Sequence, residues 1–178
     1  MNKALAGLQR GLSNLLARAV VRGLDTAAKC QTVDLALIAN ESKTAVEYLE
    51  PYGFTSAALD GSEAVVLFPD GDRSHGIVIA VADRRYRLKG LKGGEVALYT
   101  DEGDSIVMKR GRKVEVNTLQ YVVNAQEKVT FNTPLVEVPA GNISDKTSTM
   151  AAMRQQFNDH DHRGDSGGTT GKPNQKMG

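Results

Sequence analysis

Tryptophan is absent from this 178-residue chain, and aromatic residues together make up only 5%. That scarcity argues against a thick globular core. Cysteine occurs once, at Cys30, which excludes an intrachain disulfide and suits assembly in a reducing cytoplasm. The plain expectation for such a lone thiol is burial as a small apolar side chain. Charge of one sign is also missing. The formal net charge is +1, so no whole-chain field draws the protein to nucleic acid or to an anionic membrane. No apolar run approaches the ~20 residues of a helical membrane span.

What is abundant is glycine, at 18 residues, and short segments rich in Val and Thr. These favour thin, strand-rich architecture. Residues 1–22 carry Lys3, Arg10, Arg18 and Arg22 without an acid. Arg10 interrupts what would have to be the apolar run of a signal peptide. Leu5, Leu8, Leu12, Leu15 and Ala19 recur at steps of three and four, which predicts an amphipathic helical segment over residues 1–24.

From there the period changes to two. Residues 32–37, 46–49, 64–68 and 76–81 are strand candidates, separated by turn signals at Pro51-Tyr52-Gly53, Leu59-Asp60-Gly61 and Pro69-Asp70-Gly71-Asp72. Short strands at this density predict a small barrel of the OB-fold class over residues 25–90. A second regime follows over residues 91–146, with strand-like pieces at 95–99, 105–109, 113–117, 121–124, 128–132 and 135–138. Their apolar residues are too few to offset an ordering entropy of about 1–2 kcal/mol per residue. Alone they would also expose long strand edges. Identical chains wound about one axis would solve both problems, so an intertwined oligomer is expected. A helix is expected at 147–157, and residues 147–178 form the last region.

Several motifs fall short of the chemistry they suggest. Gly164-Asp165-Ser166-Gly167-Gly168 copies the nucleophile segment of trypsin-like proteases, but only twelve residues follow Ser166, too few to build the specificity pocket. Ser166 to Pro173 misses a phosphate-binding P-loop, lacking its first Gly and placing Pro173 where Ser or Thr should stand. His160-Asp161-His162-Arg163-Gly164-Asp165 grazes a binuclear metallohydrolase pattern with the Asp one position late and the last His missing. A hydrolase using His160, His162 and Asp165 is one competing reading; it needs an open coordination position. His75 is read as a hydrogen-bonded structural residue. The basic run Arg84-Arg85-Tyr86-Arg87-Leu88-Lys89 interleaves one aromatic and follows Asp83, which suits a solvated face or a junction between domains. The other competing reading, from a different class, is an OB-fold module binding single-stranded nucleic acid.

The pair His160 and His162 carries the most information. In an extended segment, positions i and i+2 face the same side, so both imidazoles can serve one centre. Two ligands leave a site open or incomplete, and another copy of the chain is the simplest source of the rest. Three copies would give six nitrogens in two layers. That octahedral set suits Fe²⁺ or another divalent first-row ion better than tetrahedral Zn²⁺. A sphere so filled is structural and not catalytic, and no catalytic residue is assigned.

Tyr52-Gly53-Phe54-Thr55, Ala64-Val65-Val66-Leu67-Phe68, Gly71-Asp72-Arg73-Ser74-His75-Gly76, Ala80-Val81 and Tyr86-Arg87-Leu88-Lys89-Gly90-Leu91 resemble the central spike proteins of contractile tails in phage Mu and its relatives, the baseplate assembly protein V family. The closing His-x-His-x-Gly-Asp-Ser-Gly-Gly-Thr-Thr is similar to that family as well. The resemblance runs from about residue 20 to the C-terminus. It implies a mostly β homotrimer, with an OB-fold collar, an intertwined trimeric β-helical shaft and an apex where His160 and His162 of each chain hold one iron ion per trimer. It further implies a non-enzymatic protein of the virion's tail baseplate, assembled in the host cytoplasm. That protein would meet the baseplate hub, cap the tube and contact the bacterial outer membrane in piercing it, with no nucleic-acid partner. The same resemblance extends to phage-tail-like particles.

Overall fold

The computed structural model describes residues 15–38, 41–164 and 166–178. Alternation of small or branched apolar residues with polar ones yields five strands in the first part: β1 (Leu16–Asp25), β2 (Gln31–Leu37), β3 (Ser42–Tyr48), β4 (Glu63–Leu67) and β5 (Ile77–Ala82). They close into a barrel in the order β1-β2-β3-β5-β4. Every pairing is antiparallel except β3 with β5, which joins Glu47 to Ile77 and Tyr48 to Val78 in parallel. Closure removes the free edges that a small sheet would otherwise expose, and the architecture is that of an OB-like barrel. Inward positions fill the interior with Val21, Val33, Leu35, Val66, Phe68 and Val78, all essentially without solvent contact.

Register shifts interrupt the barrel's ladders at three places, one of them in the β4–β5 pairing between Val65 and Val66. The β1–β2 register shifts between Val21 and Gly23, and the β2–β3 register between Val33 and Leu35. Asp34 lies at both. Its Oδ1 accepts from the Ala45 N–H at 2.9 Å, where Ala45 holds a left-handed φ of 53°. Its Oδ2 would lie 3.2 Å from a Cβ on Gly23, so the glycine opposite gives the carboxylate room.

The helix expected over residues 1–24 is not formed in its second half, because β1 begins at Leu16. Residues 1–14 lie outside the described part of the chain. In β1 the inward residues Ala17, Ala19 and Val21 alternate, and pairing on both sides, with β2 and β4, overrides the helical spacing of the leucines. The barrel therefore starts nine residues earlier than the sequence pattern placed it.

After the barrel, β6 (Val96–Tyr99), β7 (Ser105–Lys109) and β8 (Lys113–Asn117) form an antiparallel meander in sequence order. Its register puts Val96, Met108 and Val114 in one row and Leu98, Ile106 and Val116 in the next, on the same face. All six are exposed. The opposite face carries the polar set, with Glu115 between Lys109 and Lys113 at 2.6 and 2.5 Å. The further strands expected at 121–124, 128–132 and 135–138 do not form within one chain, since no segment lies beside them to complete a ladder. Residues 116–147 are exposed throughout.

Two compact units divide the chain, the first ending at Tyr121 and the second spanning Val122–Gly178. The second holds one helix, α1 (Met150–Asp159), close to the expected 147–157. Thr149 caps it, its side chain accepting from the Ala152 N–H at 3.1 Å. No helix among the described residues is long and apolar enough to cross a membrane.

Candidate metal centre

Helix α1 ends by delivering the histidine pair. His160 is its C-cap, with extended backbone (φ −69°, ψ 149°) and its N–H donating to Gln156 O. This change from helical to extended backbone is what lets positions 160 and 162 share a side. Their ring centroids lie 5.0 Å apart, with the planes at 89°. Phe157 packs against His160 at 5.3 Å between centroids. The sequence-expected pair is thus brought together.

One ring has a defined donor. His160 Nδ1 lies 2.6 Å from Phe157 O, and a carbonyl can only accept, so Nδ1 carries the hydrogen. In the neutral ring the Nε2 lone pair is then free for a ligand. Metal-bound imidazoles are oriented by this kind of contact. The donor set therefore fits a first-row divalent ion in type. It does not fit in number: among the described residues no group of three or more His, Cys, Asp or Glu converges. Asp165, the third member of the hydrolase reading, lies outside the described residues.

The segment is braced from its far side. His162 N donates to Thr170 Oγ1 at 2.9 Å, and Gly167 turns the chain with φ at 84°. Phe157 was expected only on the apolar face of the helix, and Asn158 and Thr170 were not singled out in the sequence. The Gly167-Gly168 turn signal, with Thr residues following, was the available hint of a hairpin.

The other sequence candidates have structural explanations. The His75 ring is exposed and has no hydrogen-bond partner among the described residues; its backbone N–H reaches Asp72 O, at 3.3 Å, so the expected hydrogen-bonded role falls to the backbone and not the ring. In the basic run, Arg84 pairs with Glu63 at 2.9 Å and Arg85 with Asp83 at 2.6 Å. Arg85 also donates to Asp60 O, at 2.9 Å, and holds the Asp83 carboxyl down at about 2. Two cations of the run are therefore engaged at the barrel exit, Arg84 with the start of β4 and Arg85 with the β3–β4 connection. Cys30 is half-buried and not fully buried as expected; its desolvation and the neighbouring Glu47 push the thiol pKa up, away from reactivity.

The chain thus presents a closed OB-like barrel, a β-meander with one uncovered apolar face, and a half-buried His160 beside an exposed His162. Residues 18–85, nearly the whole barrel, match the family described as Bacteriophage Mu Gp45, N-terminal. The baseplate puncturing device gp45 of Escherichia phage Mu is 34% identical over 96% of this chain and 94% of its own length. The Mu-like prophage FluMu protein gp45 of Haemophilus influenzae is 30% identical over 91% of this chain and 93% of its own. The chain belongs to this Mu gp45 family. It is a protein of the virion's tail baseplate, structural and not an enzyme.

Proposed function

We propose that the chain is the homotrimeric central spike of a contractile tail. Three OB-like barrels form a collar against the baseplate hub, residues 91–146 of three chains wind into a β-helical shaft, and three 147–178 segments meet at the apex. There His160 and His162 of each chain hold one iron ion through six imidazole nitrogens. When bound, that ion supplies a cross-link and no reaction, because a filled sphere leaves no position for water or substrate. The assembly caps the tube and pierces the bacterial outer membrane when the sheath contracts. The puncturing role printed for the Mu relative supports this mechanical reading.

The observation that carries the proposal is uncovered apolar surface. One face of the β6–β8 meander exposes six apolar side chains in two rows. Beyond it Leu119, Tyr121 and Phe131 are 95%, 73% and 71% exposed. An uncovered apolar face such as that of the meander marks an interface. Copies of the same segment are the natural cover, because each also lacks ladder partners over 118–142. Sedimentation at micromolar concentration is expected to give a particle of three 19.1 kDa chains. A monomer under those conditions overturns the reading.

A further inference from the structure

The tail beyond the histidine pair is bonded to it at successive positions. His162 and Thr170 exchange two bonds: His162 N donates to Thr170 Oγ1 at 2.9 Å, and Thr170 N donates to His162 O at 2.8 Å. Arg163 and Thr169 form an antiparallel bridge, and Gly164 N donates to Gly168 O at 2.7 Å. On the other side of the pair, Asn158 engages Met177 as a strand neighbour would. Its Nδ2 donates to Met177 O at 3.0 Å, and its Oδ1 accepts from Met177 N at 2.8 Å. Lys176 Nζ donates to Asn158 O at 2.9 Å, and Lys172 Nζ pairs with Asp159 Oδ1 at 2.6 Å.

Composition alone assigns such a Gly, Ser, Thr, Asn and Lys segment to disorder. Instead, residues 168–177 are tied to the backbone and side chains on both sides of His160 and His162. We propose that this tail is a clasp that preorganises the histidine pair for metal, with Thr170 and Asn158 as positioning residues. The inference rests on the metal reading above and deepens it.

The division of labour follows from the bonds. Phe157 O sets the His160 tautomer. Thr170 fixes the His162 backbone, so the second ring leaves a defined Cα direction. Asn158 fixes the tail to the end of α1, so Thr170 is held where it is needed. An unclasped His-x-His would have to be ordered by the ion itself, and that cost appears as weaker binding. Partners that orient metal ligands from outside the coordination sphere typically change affinity about 10–100-fold.

The test uses the full-length oligomer. Iron per chain, its release rate to excess chelator and the oligomer mass are measured for the wild type, Thr170→Val, Thr170→Ser, Asn158→Ala and the double variant His160→Ala/His162→Ala. Thr170→Val and Asn158→Ala should release iron about 10–100-fold faster at unchanged oligomer mass. Thr170→Ser, which keeps the acceptor, should behave as wild type. In metal-free wild type the His162 amide should exchange slowly with solvent, because the clasp precedes the ion. Wild-type release rates in both clasp variants overturn the clasp, and so does open-chain exchange at His162. Equal acceleration in Thr170→Ser and Thr170→Val refutes the hydrogen bond as its basis. Iron retained in the double-histidine variant, or absent from wild type, overturns the metal reading and the clasp with it. Iron lost only in the double variant removes the clasp alone.

Discussion

At the residue scale, the segment 71–76 shows how a recognisable string can be a packing solution. Asp72 Oδ1 accepts from the Ser74 N–H at 2.8 Å and shapes the turn. Arg73 lies over the Phe68 ring, 4.8 Å from its centroid, and pairs with Glu41. Gly76 lies beneath the same ring: a Cβ there would come 2.9 Å from Phe68 Cε1 and 3.0 Å from Val66 Cγ1. Both neighbours are fully buried and cannot withdraw. Gly76→Ala is therefore expected to destabilise the barrel by about 1–3 kcal/mol, read as a lower Tm. Ala45 gives the opposite case. Its left-handed φ of 53° strains an L side chain, and the Asp34 bond to its N–H does not need the Cβ. Ala45→Gly should stabilise by about 1 kcal/mol in denaturant titration.

At the element scale, the β6–β8 meander sets Lys109 directly opposite Lys113, a pairing that like charges disfavour. Glu115 bridges both, and hydrogen bonds from Lys109 first and then Lys113 hold its carboxyl down at about 2. An unfolded Glu titrates near ~4.3, so the folded value is the lower one. The stability this contributes is present above pH ~4.3 and is lost as pH falls towards 2. Glu115→Gln should lower the thermal midpoint at pH 7 and flatten its fall between pH ~4 and 2. A midpoint that drops as steeply in the variant would place the acid sensitivity elsewhere, with Asp83 the next group to examine. Strands such as β2 and β7 were legible because inward and outward residues alternate. β1 was not, since Leu, Ala and Arg are good helix formers and only pairing with two distant strands makes them extended. The segments at 121–138 read as strands from their alternation but form no ladder among the described residues, because alternation alone does not supply a neighbouring strand. His160 and His162 were legible as a pair because one residue separates them, so extended backbone alone puts both on one side. Thr170 and Asn158 act through backbone bonds that no spacing rule encodes.

At the scale of the whole molecule, the uncovered face of the meander makes the sharpest prediction. Ile106 is at its centre, opposite Leu98 and Val116. Ile106→Lys should leave the barrel's far-ultraviolet dichroism intact and abolish the proposed trimer in sedimentation; a trimer that persists would show that this face is not the interface. The barrel carries its own point of weakness. Four of its five pairings hold five or six residue pairs each, but β3 and β5 meet at only two, extended by a single Leu49 N to Val78 O bond of 3.0 Å. Residues 49–76 lie between them, so this seam has a large loop to close and little to hold it. Thermal breathing should begin there. The Leu49 amide should exchange with deuterium well before that of Val21, which lies in the core and donates to Ser62 O at 2.9 Å. A barrel with one short seam can open there and reclose while the other four ladders stay paired.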